Sequence, residues 1–122
     1  MVQLRTILKP ADNCGAHKLR VIHIYVGFQR TKATLGETVM AVVDGADPNG
    51  TVKDSDKLRV VIVRVKKEIR RSDGTHIRFD DNAGVVIDKD GNPIGTRVFG
   101  PIAREVKEKG FNKIASLAKE MY

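Results

Sequence analysis

Apolar and polar positions divide the chain into a long β-patterned part and a short helical tail. Residues 19–26 alternate and are rich in β-branched side chains. That places Arg20, Ile22, Ile24 and Val26 on one face and Leu19, Val21, His23 and Tyr25 on the other. Residues 38–43 and 58–65 are similar runs. Both faces of Val60-Val61-Ile62-Val63 are apolar, so this strand is expected to be covered on both sides. Residues 76–80 alternate with Ile77 and Phe79 inward, residues 83–87 form the last strong run, and residues 7–11 add a weaker first strand. Between the runs, Asn49-Gly50, Asp73-Gly74 and Asp90-Gly91 supply residues that tolerate positive φ, and Asp44-Gly45 and Thr34-Leu35-Gly36 mark further turns. Asp73-Gly74 predicts a hairpin joining residues 58–71 to residues 75–80. Its first arm is long for a strand, so its distal end should project as a ribbon. Five or six short strands at this spacing predict a small closed barrel.

The tail has a different period. Pro101 suits a first helical turn, Ile102 and Val106 lie one turn apart, and Gly110 suits a terminator. Asn112 can cap a second helix over residues 113–120, with Ile114, Leu117 and Ala118 on its apolar face. Such short helices must pack on the barrel to persist. The fold expected is mainly β. Residues 1–122 form a single domain, with barrel and ribbon over 1–90 and a helical C-terminal extension over 91–122.

Composition narrows the class. A length of 122 residues suits one domain, and 41% hydrophobic with 30% charged residues describes a folded globular chain. No run of 18 apolar residues occurs, so no membrane span is expected, and the first ten residues lack a signal-like apolar stretch. An anionic membrane surface would want a basic amphipathic helix with a large apolar face, and the helical part is short, so no membrane partner is expected. The chain is therefore expected to begin at Met1 and to work in the compartment where it is made. The single cysteine, Cys14, excludes an internal disulfide and suits a reducing setting.

Charge changes the picture most. The net charge is +7 and the pI about 9.8, which points to a polyanionic partner. Residues 64–78 carry a net +4 from Arg64, Lys66, Lys67, Arg70, Arg71 and Arg78 against Glu68 and Asp73. Residues 95–113 carry +3, with Arg97, Arg104, Lys107, Lys109 and Lys113 against Glu105 and Glu108. Residues 44–56 carry −3, from Asp44, Asp47, Asp54 and Asp56 against Lys53. Basic side chains on a strand edge also discourage edge-to-edge aggregation. The excess at the hairpin exceeds that need and suits a phosphate backbone. With two Tyr, four Phe and no Trp, stacking on single strands has few platforms, so folded RNA read through phosphate and 2′-hydroxyl is favoured. A single-strand binding module, stacking on Tyr25 or Tyr122, is the rival.

Catalytic chemistry finds little footing. Cys14 and His17 could begin a zinc site, but only His23 and His76 remain to complete it. As a nucleophile Cys14 would need a lowered pKa and an orienting group. A small buried cysteine beside a tight turn at Asn13 and Gly15 is the simpler reading. Adjacent Asp80 and Asp81 point to opposite faces of a strand and cannot act as a carboxylate pair. No glycine-rich phosphate loop is present. No catalytic residue, metal or cofactor is expected.

Three separated motifs carry a family resemblance over essentially the whole chain. They are Ala11-Asp12-Asn13-Cys14-Gly15-Ala16; Val61-Ile62-Val63-Arg64 with Ile69-Arg70-Arg71-Ser72-Asp73-Gly74 and Ile77-Arg78-Phe79-Asp80-Asp81-Asn82-Ala83; and the stretch from Gly95-Thr96-Arg97 through Pro101-Ile102-Ala103-Arg104-Glu105. In these the sequence resembles the universal L-fourteen family of large-subunit ribosomal proteins, bacterial or organellar type. The resemblance implies a small five-stranded β-barrel with a protruding β-ribbon and a short helical C-terminal region. It implies a structural role in the large ribosomal subunit, with direct binding of large-subunit rRNA. It also implies a place on the inter-subunit face beside ribosomal proteins L-three and L-nineteen, with a bridge to small-subunit RNA. Docking of a ribosome silencing factor would fall on Thr96, Arg97, Lys113 and Ser116. RNA contacts would fall on Arg64, Lys66, Lys67, Arg70, Arg71, Arg78, Arg97, Arg104 and Lys107. The location implied is the ribosome, in the cytoplasm or an organelle matrix or stroma. Three positions depart from the family pattern. Pro10 is expected to shorten or bend the first strand, Val60 to alter local packing, and Lys119 in place of a proline to let the last helix run on.

Overall fold

The computed structural model describes residues 2–25 and 31–122. Nine strands and two helices occur among them: β1 (Val2–Gln3), β2 (Ile7–Pro10), β3 (Leu19–Ile24), β4 (Lys32–Ala33), β5 (Thr38–Val43), β6 (Lys57–Arg64), β7 (Ile69–Arg70), β8 (His76–Ile77), β9 (Ala83–Ile87), α1 (Arg104–Glu108) and α2 (Asn112–Leu117). Strands β2-β3-β5-β6-β9 form a closed barrel, while β1-β4 and β7-β8 are separate two-stranded pairs. Every barrel contact is antiparallel except the closing one, where β9 lies parallel to β2. There Lys9 and Ala11 donate to the Asn82 and Gly84 carbonyls, both at 2.9 Å. Pro10 stands between these two donors, so its missing N–H removes no bond to β9. The strand does end at Pro10, as its sequence suggested.

The double-sided apolar run is explained by two cores that share β6. Val60 and Ile62 face the barrel interior with Leu8, Leu19, Val21, Val39 and Val86. Val61 and Val63 face outward into a second cluster with Val85, Ile102, Val106 and Ile114. The strand's period of two thus sends alternate residues to different cores. The larger side chain at Val60 is matched by Gly84 on the facing strand, where an added Cβ would strike Val60 Cγ1.

Several expectations change. The Leu19–Ile24 strand carries an irregularity between Val21 and His23, so Ile24 joins Leu19 and Val21 inside while Ile22 stays out. Val26 lies outside the described residues, as does Phe28. The long hairpin arm is not continuous. It ends at Arg64, and β7 begins at Ile69 after a break in which Lys66 N donates to Asn82 Oδ1 at 2.8 Å. Residues 76–80 keep strand pairing only at His76–Ile77, though Ile77 and Phe79 do pack on the core. Pro101 precedes α1 and does not open it. Ala103 is the N-cap, and its N–H donates to the Val63 carbonyl at 3.1 Å. In α2, Asn112 is helical and Phe111 is the N-cap, without a side-chain capping bond. The helix ends at Leu117 despite Lys119, because residues 120–122 pair with Ile102 in extended form. Fully buried Ile114 and Val106 anchor these short helices. Each such side chain contributes about 1.5–3 kcal/mol by burial, more than a helix of this length supplies itself. No described helix is long and apolar enough to cross a membrane.

Candidate nucleic acid interface

The β7-β8 hairpin is built around its turn. Gly74 adopts φ +89°, which favours glycine, and its N–H donates to the Arg71 carbonyl at 3.0 Å. Asp73 Oδ1 accepts the Thr75 hydroxyl at 2.6 Å and the Thr75 N–H at 3.0 Å. These bonds, the hydroxyl first, hold the Asp73 carboxyl below its ordinary range. Ile69 and Ile77 are paired across the hairpin and packed against the barrel core, so the base of the ribbon is fixed.

Charged side chains of the run then separate into two sets. Lys66, Lys67, Arg70 and Arg78 are exposed. Lys67 pairs with Glu68 at 3.3 Å, whose own N–H and then Lys67 lower its carboxyl pKa. Lys66, Arg70 and Arg78 make no salt bridge among the described residues. Arg64, expected among the phosphate contacts, is placed differently from the exposed set. Its side chain is 8% exposed, its Nε donates to Asp81 Oδ1 at 2.9 Å, and one terminal nitrogen donates to the Phe99 and Pro101 carbonyls at 2.8 and 3.2 Å. Gly100, at φ +77°, lies against this guanidinium so closely that a Cβ would meet it. Arg64 therefore ties the barrel to the tail through its Nε and one terminal nitrogen. Arg71 is an intermediate case. At 17% side-chain exposure, its Nε donates to Glu105 Oε1 at 2.8 Å, linking the hairpin to α1. A cleft of about 680 Å³ lies between hairpin and tail, bordered by Arg64, His76, Arg78, Phe79, Asp81 and Tyr122.

The tail residues sit on a frame that the sequence did not reveal. Asn13 Oδ1 accepts the N–H groups of Thr96 and Arg97 at 2.8 and 3.1 Å, and Asn13 Nδ2 donates to Thr96 Oγ1 at 2.8 Å. The Ala11–Ala16 motif thus positions the Thr96-Arg97 loop across the molecule. Next to it, Asp12 is buried. Its Oδ2 accepts the Val86 N–H at 3.2 Å, while Oδ1 has no hydrogen-bond partner. Desolvation raises the Asp12 pKa. Cys14 is buried too, and burial, reinforced by the Asp12 side chain, pushes its thiol up to about 12. That is the opposite of an activated nucleophile. His17 lies apart from it, exposed and 2.8 Å from Asp47. Arg97, Arg104, Lys107 and Lys113 are exposed, and Ser116 Oγ donates to the Lys113 carbonyl at 2.7 Å within α2.

The arrangement suits a rigid polyanion contact. The cations project from a hairpin held at its base by Ile69 and Ile77 and at its flank by Arg71, so little ordering is needed on binding.

The comparisons with known proteins bear on the whole chain. A family model described as ribosomal protein L14p/L23e matches residues 1–122. The large ribosomal subunit protein uL14 of Petrotoga mobilis is 58% identical over 122 residues, covering 100% of each chain.

Proposed function

The chain belongs to the ribosomal protein L14p/L23e family and is a structural constituent of the large ribosomal subunit, and we propose that it binds large-subunit rRNA directly through the β7-β8 hairpin. The observation that carries this is the exposed set Lys66, Lys67, Arg70 and Arg78 on an anchored ribbon. Arg104 and Lys107 on α1 extend the same basic surface toward the tail. Arg71 contributes by holding the hairpin to α1 through Glu105, and Arg64 by fixing the tail.

The protein lies on the inter-subunit face beside ribosomal proteins L-three and L-nineteen and contributes a bridge to small-subunit RNA. What supports this reading is the match over the full chain and a second cationic region on the tail. Thr96, Arg97, Lys113 and Ser116 form the docking face for a ribosome silencing factor. Their exposure, and the Asn13 bonds that fix the Thr96-Arg97 loop, support it. The protein acts as a single domain, without catalytic chemistry, in the ribosome of the cytoplasm or an organelle.

The test is the salt dependence of binding to folded large-subunit rRNA. The paired substitution Arg70→Ala and Arg78→Ala is expected to weaken binding and lower the slope of log affinity against log salt by about one unit per lost phosphate contact. An unchanged slope would overturn the hairpin assignment.

A further inference from the structure

On the side of the barrel formed by β3, β5 and β6 lies a second cluster of chemistry that the hairpin does not use. Cross-strand pairing sets His23 beside Met40 and Met40 beside Arg59, with Ile87 next in the row. Tyr25, just beyond β3, is 40% exposed. The Arg59 guanidinium carbon lies 5.7 Å from its ring centroid, and the His23 ring meets it edge-on, centroids 5.1 Å apart at 81°. Two neighbours therefore hold an accessible phenol ring in place. An adjoining cleft of about 430 Å³ is bordered by Tyr25, Arg59, Lys89, Asp90, Gly91 and Phe111. That volume falls in the range of small-ligand pockets, about 300–1,000 Å³.

We infer that this cleft receives one unpaired RNA base, stacked on Tyr25, with guanine preferred. The inference rests on the RNA-binding reading above and adds a site that reads a base. An aromatic ring already paired with a guanidinium is a stacking platform. The guanidinium keeps in-plane N–H donors that can reach the phosphate of the same nucleotide. Lys89 across the cleft supplies a further cation. The two carboxylates nearby differ in availability. Asp88 Oδ1 accepts the N–H groups of Asp90 and Asn92 at 2.9 and 3.0 Å and shapes the turn. The Asp90 carboxylate has no partner among the described residues. A carboxylate only accepts hydrogen bonds, and guanine sets two adjacent N–H donors, N1 and N2, on one edge.

Tyrosine emission tests this directly, because the chain has two tyrosines and no tryptophan. With Tyr122→Phe, Tyr25 becomes the sole tyrosine. The probe is an RNA hairpin whose single-stranded loop is centred on guanosine, compared with the same loop carrying inosine or an abasic site. Guanosine is expected to quench Tyr25 and the abasic loop is not. Tyr25→Ala should weaken binding of the guanosine loop about tenfold, while Tyr25→Phe retains it. Asp90→Asn should erase the preference for guanosine over inosine. Equal quenching by the abasic loop, or unchanged guanosine-loop affinity in Tyr25→Ala, overturns the inference. If Tyr25→Ala leaves binding intact while the Arg70/Arg78 double variant loses it, the cleft fails and the RNA reading stands. If the intact protein binds no RNA, folded rRNA included, both fail.

Discussion

Arg64 and Arg70 belong to one basic run and end in opposite environments. Arg64 is buried, its Nε bonded to Asp81 and one terminal nitrogen to two backbone carbonyls. Arg70 is exposed on a two-stranded pair and has no salt bridge among the described residues. The difference arises at the strand break. As β6 ends at Arg64, an irregularity between Ile62 and Arg64 directs that side chain beneath the Phe99–Pro101 segment. Strand structure resumes at Ile69, in the separate β7-β8 pair. Formal charge alone therefore says little about role. A cation that holds a carboxylate and backbone carbonyls fixes geometry, while one without such partners is available to another molecule.

Substitutions can break this comparison, and stability separates the two sets. Arg64→Ala is expected to cost about 3 kcal/mol, since it strands Asp81 and the two carbonyls in a part-buried site. Urea unfolding measures this, and loss of the tail's protection in hydrogen exchange should accompany it. Arg71→Ala removes a less buried pair and should cost about 1 kcal/mol, with faster exchange confined to the hairpin and α1. Asp12→Asn sharpens the contrast from the other sign of charge. Burial raises the Asp12 pKa in the fold above its unfolded value, so the folded state binds the extra proton and stability falls as pH rises through that range. Asparagine keeps an oxygen for the Val86 N–H and carries no charge. The variant should therefore equal or exceed the parent by up to about 1 kcal/mol at pH 7, with the gap shrinking toward pH 3. Arg70→Ala with Arg78→Ala should leave the urea midpoint unchanged, because neither side chain holds the fold. A drop in that midpoint would place both in the first set.

Cys14 offers a check on the buried motif as a whole. With its thiol pushed up to about 12 and no exposed surface, alkylation at neutral pH should wait for unfolding. Rapid labelling of the folded protein would show that the Ala11–Ala16 turn opens on its own.

Much of the frame was legible in the residues. The two-sided apolar run at β6 announced a strand between two cores, and Asp73-Gly74 announced the hairpin, because period and turn chemistry are local. What escaped depends on contacts between distant segments. The irregularities in β3 and β6 leave no mark in composition, yet one turns Ile24 inward and the other buries Arg64. Asn13 reads as a turn residue until it is seen to hold Thr96 and Arg97. Tyr25 could be named as exposed, but its pairing with Arg59 depends on the β5-β6 register. Lys119 could not announce that the tail is drawn back into extended pairing with Ile102.

The parallel closure of β2 on β9 has a consequence for the order of events in the cell. The first barrel strand finds its second neighbour only in residues 83–87, so the barrel cannot shut until nearly three-quarters of the chain has left the ribosomal exit tunnel. A topology so dominated by distant pairing folds slowly compared with a helical bundle of the same size. Until that moment an open β-sheet edge on a basic chain is exposed to the crowded solution. A nascent chain of this kind gains from a polyanion that engages its hairpin early, before the last strand arrives.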